Sequence, residues 1–168
     1  MSLSLYDVTI PVFIRSLQTL SLFLEKGRRF ADETSMSHRE LLDARLYEDM
    51  APLTAQIQRV SDTAKFAAAR IGQCEAPKME DDETSFDELQ ARIAATIAFL
   101  QTIPADAMNG REDAEILLQT PRRSFTFTGR SYALEFAIPN FYFHVTAAYA
   151  LLRMKGVPVG KMDFLGSI

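Results

Sequence analysis

Apolar residues recur at mixed steps of three and four along most of the chain, a spacing typical of amphipathic helices. The first such stripe extends over residues 5–31 and predicts a long helix. Its apolar positions are Leu5, Val8, Val12, Leu17, Leu20, Leu24, Gly27 and Ala31. Pro11 is tolerated if the helix begins around Ile10, because a first-turn N–H has no helical partner anyway. An earlier start predicts a bend at this proline.

Two further stripes predict a second and a third helix. The second covers residues 53–71, and Gly72 supplies a stop signal at its end. The third follows Ser85, which has capping-box spacing with Glu88, and Pro104 ends it. The segment between these helices is acidic and contains a proline, which predicts a solvated loop.

A shorter helical segment is predicted at residues 37–43, between the first and second long helices. Ser37 and Glu40 have the spacing of a capping box. His38 then lies in the first turn of an exposed helix, and we expect it to be a solvated surface histidine.

The period of the pattern changes after residue 110. Residues 114–119 form a short apolar run, and residues 124–128 alternate strictly between hydroxyl and phenylalanine side chains. These two runs predict a small β-hairpin. Because two strands alone are marginally stable, we expect the hairpin to pack on the helices.

The most apolar stretch, residues 131–156, predicts the last and central helix. Ser131 fits its N-cap position, and Pro139 would then kink the helix. The alternative is that alternating structure continues further along the chain and the helix begins at Pro139. We favour the earlier start.

Beyond Gly156, Pro158 and Gly160 oppose further helix, and Phe164 gives the tail an apolar contact. We therefore expect an ordered extended C-terminal tail. The pattern as a whole predicts an all-α protein, a four-helix bundle with a small β-hairpin before the last helix. With 168 residues, the chain is expected to form a single domain over residues 1–168.

Composition narrows the range of partners. A net charge of −4 and a pI near 5.2 argue against nucleic-acid binding, which requires a basic surface. The single cysteine excludes an internal disulfide and fits a reducing compartment. No targeting segment is visible at the N-terminus, and the most apolar run is interrupted by Pro139, Asn140 and His144, which favours a buried helix over a membrane span. We expect a cytoplasmic protein without a membrane partner.

Candidate chemistry concentrates on the last helix. Residues four apart point to nearly the same side of a helix, so Asn140 and His144 share a face. Aromatic neighbours predict that His144 is at least partly buried, and its ring then needs a partner such as Asn140 or a carbonyl released by Pro139. No GxSxG, CxxC, HExxH or phosphate-loop motif accompanies it.

Three roles for His144 stay open at this point. It fits a hydrogen-bonded core residue, a general base beside a tyrosine in a pocket, or a ligand of zinc or nickel. The candidate pocket residues are Asn140, His144, Tyr142 and Tyr149. The residues that could complete a metal site with His144 are Asn140 and one of the carboxylates Glu135, Asp49 or Asp62, and their spacing does not single one out.

Three segments carry a distinctive pattern. The first is Ala44-Arg45-Leu46 with Met50, and the second is Pro139-Asn140-Phe141-Tyr142-Phe143-His144 with Ala148-Tyr149 and Leu152-Arg153. The third is Gly156-Val157-Pro158 with Gly160-Lys161 and Asp163-Phe164-Leu165-Gly166. Over nearly its whole length, the chain resembles an uncharacterised bacterial family, a domain of unknown function in the DinB/YfiT-like superfamily of four-helix bundles. The resemblance implies the bundle, a cavity near His144 and a homodimer.

The wider superfamily is similar to a set of proposed metalloenzymes, some of them thiol transferases. Those proteins place one metal-binding histidine on the second helix and an HxxxH pair on the last helix. His144 matches the second histidine of that pair, and Asn140 stands at the first position. The second helix, residues 53–71, contains no histidine. Two of the three ligand positions thus lack the superfamily's residue, and we expect no metal.

These observations predict an uncharacterised DinB-like bundle protein without the superfamily's metal site and with a small-molecule pocket near His144. The alternative is a zinc- or nickel-dependent transferase or hydrolase of the DinB type that uses His144. The sequence does not decide whether the protein is an enzyme, and it names no substrate or pathway. The expected partners are a second copy of the chain and a small molecule, with no nucleic acid and no membrane.

Overall fold

The computed structural model describes residues 3–120 and 122–166. Long helices form a bundle, and short helices and a β-hairpin connect or extend them. In chain order the elements are α1 (Leu5–Thr34), α2 (His38–Leu42), α3 (Leu53–Gly72), α4 (Phe86–Gln101), α5 (Ala105–Met108), β1 (Glu115–Gln119), β2 (Ser124–Thr128), α6 (Gly129–Ser131), a π-helical segment (Tyr132–Ala137), α7 (Ile138–Met154) and α8 (Lys161–Leu165). The predicted all-α bundle with a hairpin before the last helix is confirmed.

Helix α1 begins earlier than Ile10 because its N-terminus is capped by side chains. The Ser4 hydroxyl accepts from the Asp7 N–H at 3.2 Å, and the Asp7 carboxylate accepts from the Ser4 N–H at 3.1 Å. Two otherwise unpaired backbone donors are thereby satisfied, so the helix starts at Leu5. Pro11 consequently lies inside the helix and not in its first turn.

Helix α1 is long and apolar enough to cross a membrane when it is judged by length and composition alone. Its apolar stripe nevertheless lies in the core that α3, α4 and α7 share, as in the core helix of a soluble globular domain. That burial makes the length criterion weak evidence for a membrane span.

The two predicted capping boxes have different outcomes. At the start of α4, the Ser85 hydroxyl accepts from the Glu88 N–H and the Glu88 carboxylate accepts from the Ser85 N–H, as predicted. At α2 the prediction is wrong, because Ser37 makes no side-chain cap. Glu40 instead accepts from Lys155 Nζ at 3.0 Å, so a contact with the end of α7 replaces the local one.

The hairpin is antiparallel and lies on the bundle, as predicted. Its register pairs Glu115 with Thr128 and Gln119 with Ser124, and the alternate side chains of β1 are buried. The turn into α6 requires Gly129, since a Cβ there would collide with the carbonyl oxygen of Arg111.

The last helix starts well before Pro139, because residues 129–154 are helical throughout. Ser131 is not its N-cap, contrary to the prediction. The Thr128 hydroxyl accepts from the Ser131 N–H at 3.1 Å, so Thr128 caps the helix and Gly129 begins it.

The expected proline kink takes the form of the π-helical segment before Pro139. There the Ile138 N–H donates to the Ala133 carbonyl, five residues back, in place of the usual four. A wider turn at this point accommodates the missing N–H and the ring of the proline.

The C-terminal tail is ordered, as predicted, but only its first part is extended. The Asp163 carboxylate accepts from the Gly160 N–H at 2.8 Å and starts the short helix α8. This local bond explains why helix resumes after a proline and a glycine. Asp163 also lies 2.7 Å from Lys26 Nζ on α1, and Phe164 packs on Phe23.

A buried group of charges joins α3, α4 and the loop between them. The side chains of Lys65 and Arg92 are each only 2% exposed. Asp62 Oδ1 lies 2.8 Å from both Lys65 Nζ and Arg92 Nη2. Arg92 Nη1 lies 2.9 Å from Glu83 and 3.0 Å from Asp81 in the loop. The acidic loop is therefore held against the bundle by Arg92 and by Gln58, whose Nε2 donates to Glu83 at 2.8 Å.

We predict that Arg92→Leu destabilises the protein by about 3 kcal/mol, because it removes the cationic partner of Glu83 and one of the two cations bound to Asp62. Urea unfolding followed by circular dichroism measures the loss. Arg39→Leu is the matched control, since that side chain is 88% exposed and, among the residues that the structure describes, forms an ion pair only with Asp43. The control should change stability by less than about 1 kcal/mol, and equal losses in the two variants would contradict the prediction.

Candidate functional site

Three side-chain hydrogen bonds join α3 to the last helical stretch. They are Gln56 with His144 at 2.7 Å, Thr63 with Asn140 at 2.8 Å, and Arg70 with Tyr132 at 2.8 Å. The α3 members are spaced seven residues apart, which is about two helical turns, so they lie on one face. We call these three pairs the cross-helix ladder.

The π-helical segment keeps Tyr132 on the same face as Asn140. In a regular α-helix, residues eight apart point about 80° away from each other. The π turn takes up one additional residue, so the eight-residue step acts as about seven, or close to two full turns. The irregular turn between Tyr132 and Asn140 therefore brings the ladder's members on this helix into one line.

Five of the six ladder residues, all except Gln56, line a cleft of about 270 Å³ between the last helix, α3 and the hairpin. The other side chains that line it are Arg59, Asp62, Phe66, Leu118 and Phe136. We call this the His144 cleft. The lining of the cleft thus combines polar side chains with aromatic and aliphatic ones.

The orientation of Gln56 determines which nitrogen of His144 carries the proton. The Gln56 amide donates from Nε2 to the Ala51 carbonyl at 3.0 Å, so its Oε1 faces His144 as an acceptor. His144 Nδ1 lies 2.7 Å from that oxygen and must donate to it. The lone pair of the neutral ring consequently belongs to Nε2.

His144 Nε2 is the ring atom available to a ligand. It has no hydrogen-bond partner among residues 3–120 and 122–166. The fully buried side-chain nitrogens and oxygens of those residues that lack a hydrogen-bond partner are Arg92 Nε and Arg111 Nε, and His144 Nε2 is not one of them. The residue is only 7% exposed, yet it lines the cleft. Nε2 therefore is not fully enclosed, and it keeps an unused lone pair on a residue that lines the cleft.

Burial, together with the smaller effect of the positive charge of Arg59, lowers the pKa of His144 from 6.5 to about 4. The ring is therefore neutral at physiological pH. A neutral ring with an open Nε2 accepts hydrogen bonds or protons and does not donate from that atom.

Asn140 and His144 do not form a hydrogen bond with each other, because each bonds to a residue of α3. Asn140 Nδ2 donates to Thr63 Oγ1 at 2.8 Å, and Gln56 takes the place expected for Asn140 or for a carbonyl released by Pro139. Both side chains point towards α3, so each finds its partner across the helix interface and not along its own helix. Asn140 and His144 do line the same cleft.

The two candidate tyrosines lie elsewhere. The Tyr142 hydroxyl is 3.3 Å from Ser16 Oγ on α1, and the Tyr149 ring packs on Phe23 at 5.7 Å between centroids. Neither side chain lines the His144 cleft. The expected arrangement of a general base beside one of these tyrosines is therefore not formed in the described chain.

The donors around His144 do not fit zinc or nickel. Glu135 and Asp49 are exposed and do not line the cleft. Asp62 lines it, but its Oδ1 is already paired with two buried cations. Residues 3–120 and 122–166 contain no group of three His, Cys, Asp or Glu side chains placed to hold a metal. The nearby charge of Arg59 also opposes a cation.

The fold and the comparisons define the class of the protein as a DinB-like helical bundle. The chain has a TM-score of 0.90 and 38% identity to a crystal structure of a DinB family member protein from Shewanella denitrificans, with 98% of this chain and 93% of that chain covered. The chain matches the family described as domain of unknown function (DUF1993) over residues 5–165 and belongs to that family. Among curated proteins, none matches the chain. The family resemblance inferred from the sequence is confirmed.

Five α3 residues of the site were not identified from the sequence, namely Gln56, Arg59, Thr63, Phe66 and Arg70. A signal for three of them exists, because Gln56, Thr63 and Arg70 are polar residues spaced seven apart beside the apolar stripe of α3. Such a row predicts a polar contact line with another helix. Arg59 carries no comparable signal.

We predict that nitrogen-15 NMR shows His144 as the neutral tautomer with its proton on Nδ1. Gln56→Leu should abolish that preference and destabilise the protein by about 1–3 kcal/mol, since a buried N–H loses its acceptor. The exposed Gln18→Leu is the control for stability, and His38 is the internal reference for the spectra. A wild-type tautomer in Gln56→Leu would refute the assignment.

We also predict that part of the loss of stability below pH 6.5 comes from His144. Between pH 6.5 and about 4 the unfolded chain protonates this residue while the folded chain does not, because the folded pKa is lowered. Stability therefore rises with pH across this window, by up to about 3 kcal/mol from this group.

Urea unfolding at a series of pH values tests this contribution. His144→Gln should show a shallower slope than the wild type between pH 4 and 6.5. His38→Gln, at a side chain that is 44% exposed, should retain the contribution. A slope unchanged by His144→Gln would show that this residue does not contribute.

Proposed function

We propose that the protein binds a small organic molecule in the His144 cleft without a metal ion, and that His144 Nε2 accepts a hydrogen bond from that molecule. The observation that carries this proposal is the Ala51–Gln56–His144 chain of hydrogen bonds, which leaves the Nε2 lone pair open to the cleft. Membership of a DinB-like family supports a ligand site at this position of the bundle only by analogy.

The size and lining of the cleft support a small ligand. Its volume of about 270 Å³ is slightly below the range of pockets that hold drug-sized molecules. Its lining combines apolar surface with a few polar groups, as is usual for such sites. The π-helical segment in its wall is a further sign, because such turns occur frequently at functional sites.

The alternative is a zinc- or nickel-dependent transferase or hydrolase that uses His144. The open Nε2 is a suitable metal ligand, and the relation to the DinB family favours this function. The surrounding donors oppose it, because Asp62 is engaged elsewhere and Arg59 is a cation. The cytoplasmic location and the homodimer stay predictions, the latter supported by exposed apolar side chains such as Phe143 and Met154 on α7.

Screening a fragment library against protein labelled in its histidine side chains tests the proposed function. A fragment that binds in the cleft should shift the signals of His144 and leave those of His38 unchanged. His144→Leu should weaken that fragment by about tenfold, the effect of losing one good hydrogen bond.

Metal-free and zinc- or nickel-loaded samples separate the two functions. The proposal requires fragment binding by the metal-free protein. If no fragment shifts His144 without metal, or if one zinc or nickel ion per chain binds at micromolar concentration and is lost in His144→Leu, the proposed function is wrong.

A further inference from the structure

We propose that the ligand of the His144 cleft is a small organic anion, a carboxylate or a phosphate monoester, with an aromatic body and a hydrogen-bond donor. This ligand class rests on the function proposed above, and it specifies the charge and the shape of the small molecule. Three features of the cleft carry it: uncompensated arginines, an exposed aromatic wall, and the acceptor atom of His144.

The charge of the cleft comes from Arg59 and Arg70. Neither guanidinium has a carboxylate partner among residues 3–120 and 122–166. Arg59 is exposed and makes no side-chain hydrogen bond within those residues, and Arg70 uses Nη1 alone, towards Tyr132. Both arginines therefore keep free N–H donors at the cleft, and such donors are the usual partners of carboxylate and phosphate oxygens.

Asp62 does not neutralise this charge. Among the described side chains that line the cleft, Asp62 is the one that carries a carboxylate. Its Oδ1 lies 2.8 Å from Lys65 Nζ and 2.8 Å from Arg92 Nη2, two cations whose side chains are almost fully buried. Since two arginines and only this one, already paired, carboxylate are among the described side chains that line the cleft, its charges favour an anion.

The wall of the cleft provides an aromatic surface. Phe66 is 36% exposed, and the guanidinium of Arg70 lies 4.9 Å from its ring centroid. Phe136 and Leu118 line the cleft with it. A flat apolar group can pack against these side chains while an attached anion reaches the guanidinium beside the ring.

His144 adds a requirement for a donor. Its neutral ring presents Nε2 as an acceptor, so a ligand with only acceptors on that side would leave the atom unpaired inside the cleft. A hydroxyl or N–H on the aromatic body satisfies it. The ligand recognised by the cleft thus combines an anionic group, an aromatic body and a hydrogen-bond donor.

A set of matched probes tests this pattern by calorimetry and by the NMR signals of His144. The reference is 4-hydroxyphenylacetate, which carries all three features. Phenylacetate lacks the donor, and 2-(4-hydroxyphenyl)ethanol lacks the anion. We expect the reference to bind at least about tenfold tighter than the alcohol and about fivefold tighter than phenylacetate. The comparison with 4-hydroxyphenyl phosphate decides which oxyanion is preferred.

Arginine variants test whether Arg59 and Arg70 cause the preference for the acid over the alcohol. Arg59→Met and Arg70→Met should each reduce the advantage of the acid over the alcohol by about fivefold or more. Arg153→Met removes the same charge from an exposed position outside the cleft and should leave the advantage intact. Circular dichroism checks that each variant is folded, and added salt should weaken the acids and not the alcohol.

The outcomes separate this inference from the proposed function. If the neutral alcohol shifts His144 as strongly as the acid, or if the arginine variants keep the full preference, the ligand class is wrong and the cleft remains a binding site. If cationic fragments bind there and anions do not, the ligand class is also wrong. If neither the probes nor any library fragment shifts His144, both conclusions fail.

Discussion

Polar side chains buried between two helices must find partners, and this requirement controls the arrangement of α3 and α7. The cross-helix ladder meets it with three pairs in which every member lies on a facing surface. An axial shift of either helix by one turn would leave several of these groups buried without partners, each at a cost of about 1–3 kcal/mol. The ladder therefore fixes the register of the helices and, through Gln56, the orientation of the His144 ring.

Helix α3 divides the charges of the protein between two sides. On the side of α4, the acidic loop and Asp62 surround Arg92 and Lys65 and satisfy them. On the side of α7, Arg59 and Arg70 have no carboxylate partner in the described chain. A protein with a net charge of −4 can thus present a locally cationic cleft, because its acids are engaged or placed elsewhere.

The sequence was sufficient for features that depend on local pattern. The four main helices, the hairpin and the Ser85 cap follow from periodicity, turn residues and spacing, and His144 was correctly placed on the last helix. The Ser37 cap failed because Glu40 has a distant partner, Lys155. Gln56 was missed because the pairing of two helices depends on their relative position, which periodicity does not specify. The π turn was missed because Pro139 predicts an irregularity in the helix but does not specify that it takes the form of a wider turn.

The π-helical segment also gives this fold a simple route to variation. Deleting one residue between Tyr132 and Ala137, together with replacing the exposed Pro139, would allow a regular α-helix and leave the contacts of α7 with the core unchanged. Everything before the deletion would rotate by about 100°, so Tyr132 and the attached hairpin would leave the cleft. Relatives that differ by a single residue in length at this turn would then share a bundle and a buried histidine but have differently shaped sites. Loss or gain of one codon, with a substitution at the proline, can in this way change what the fold recognises without any change in its core.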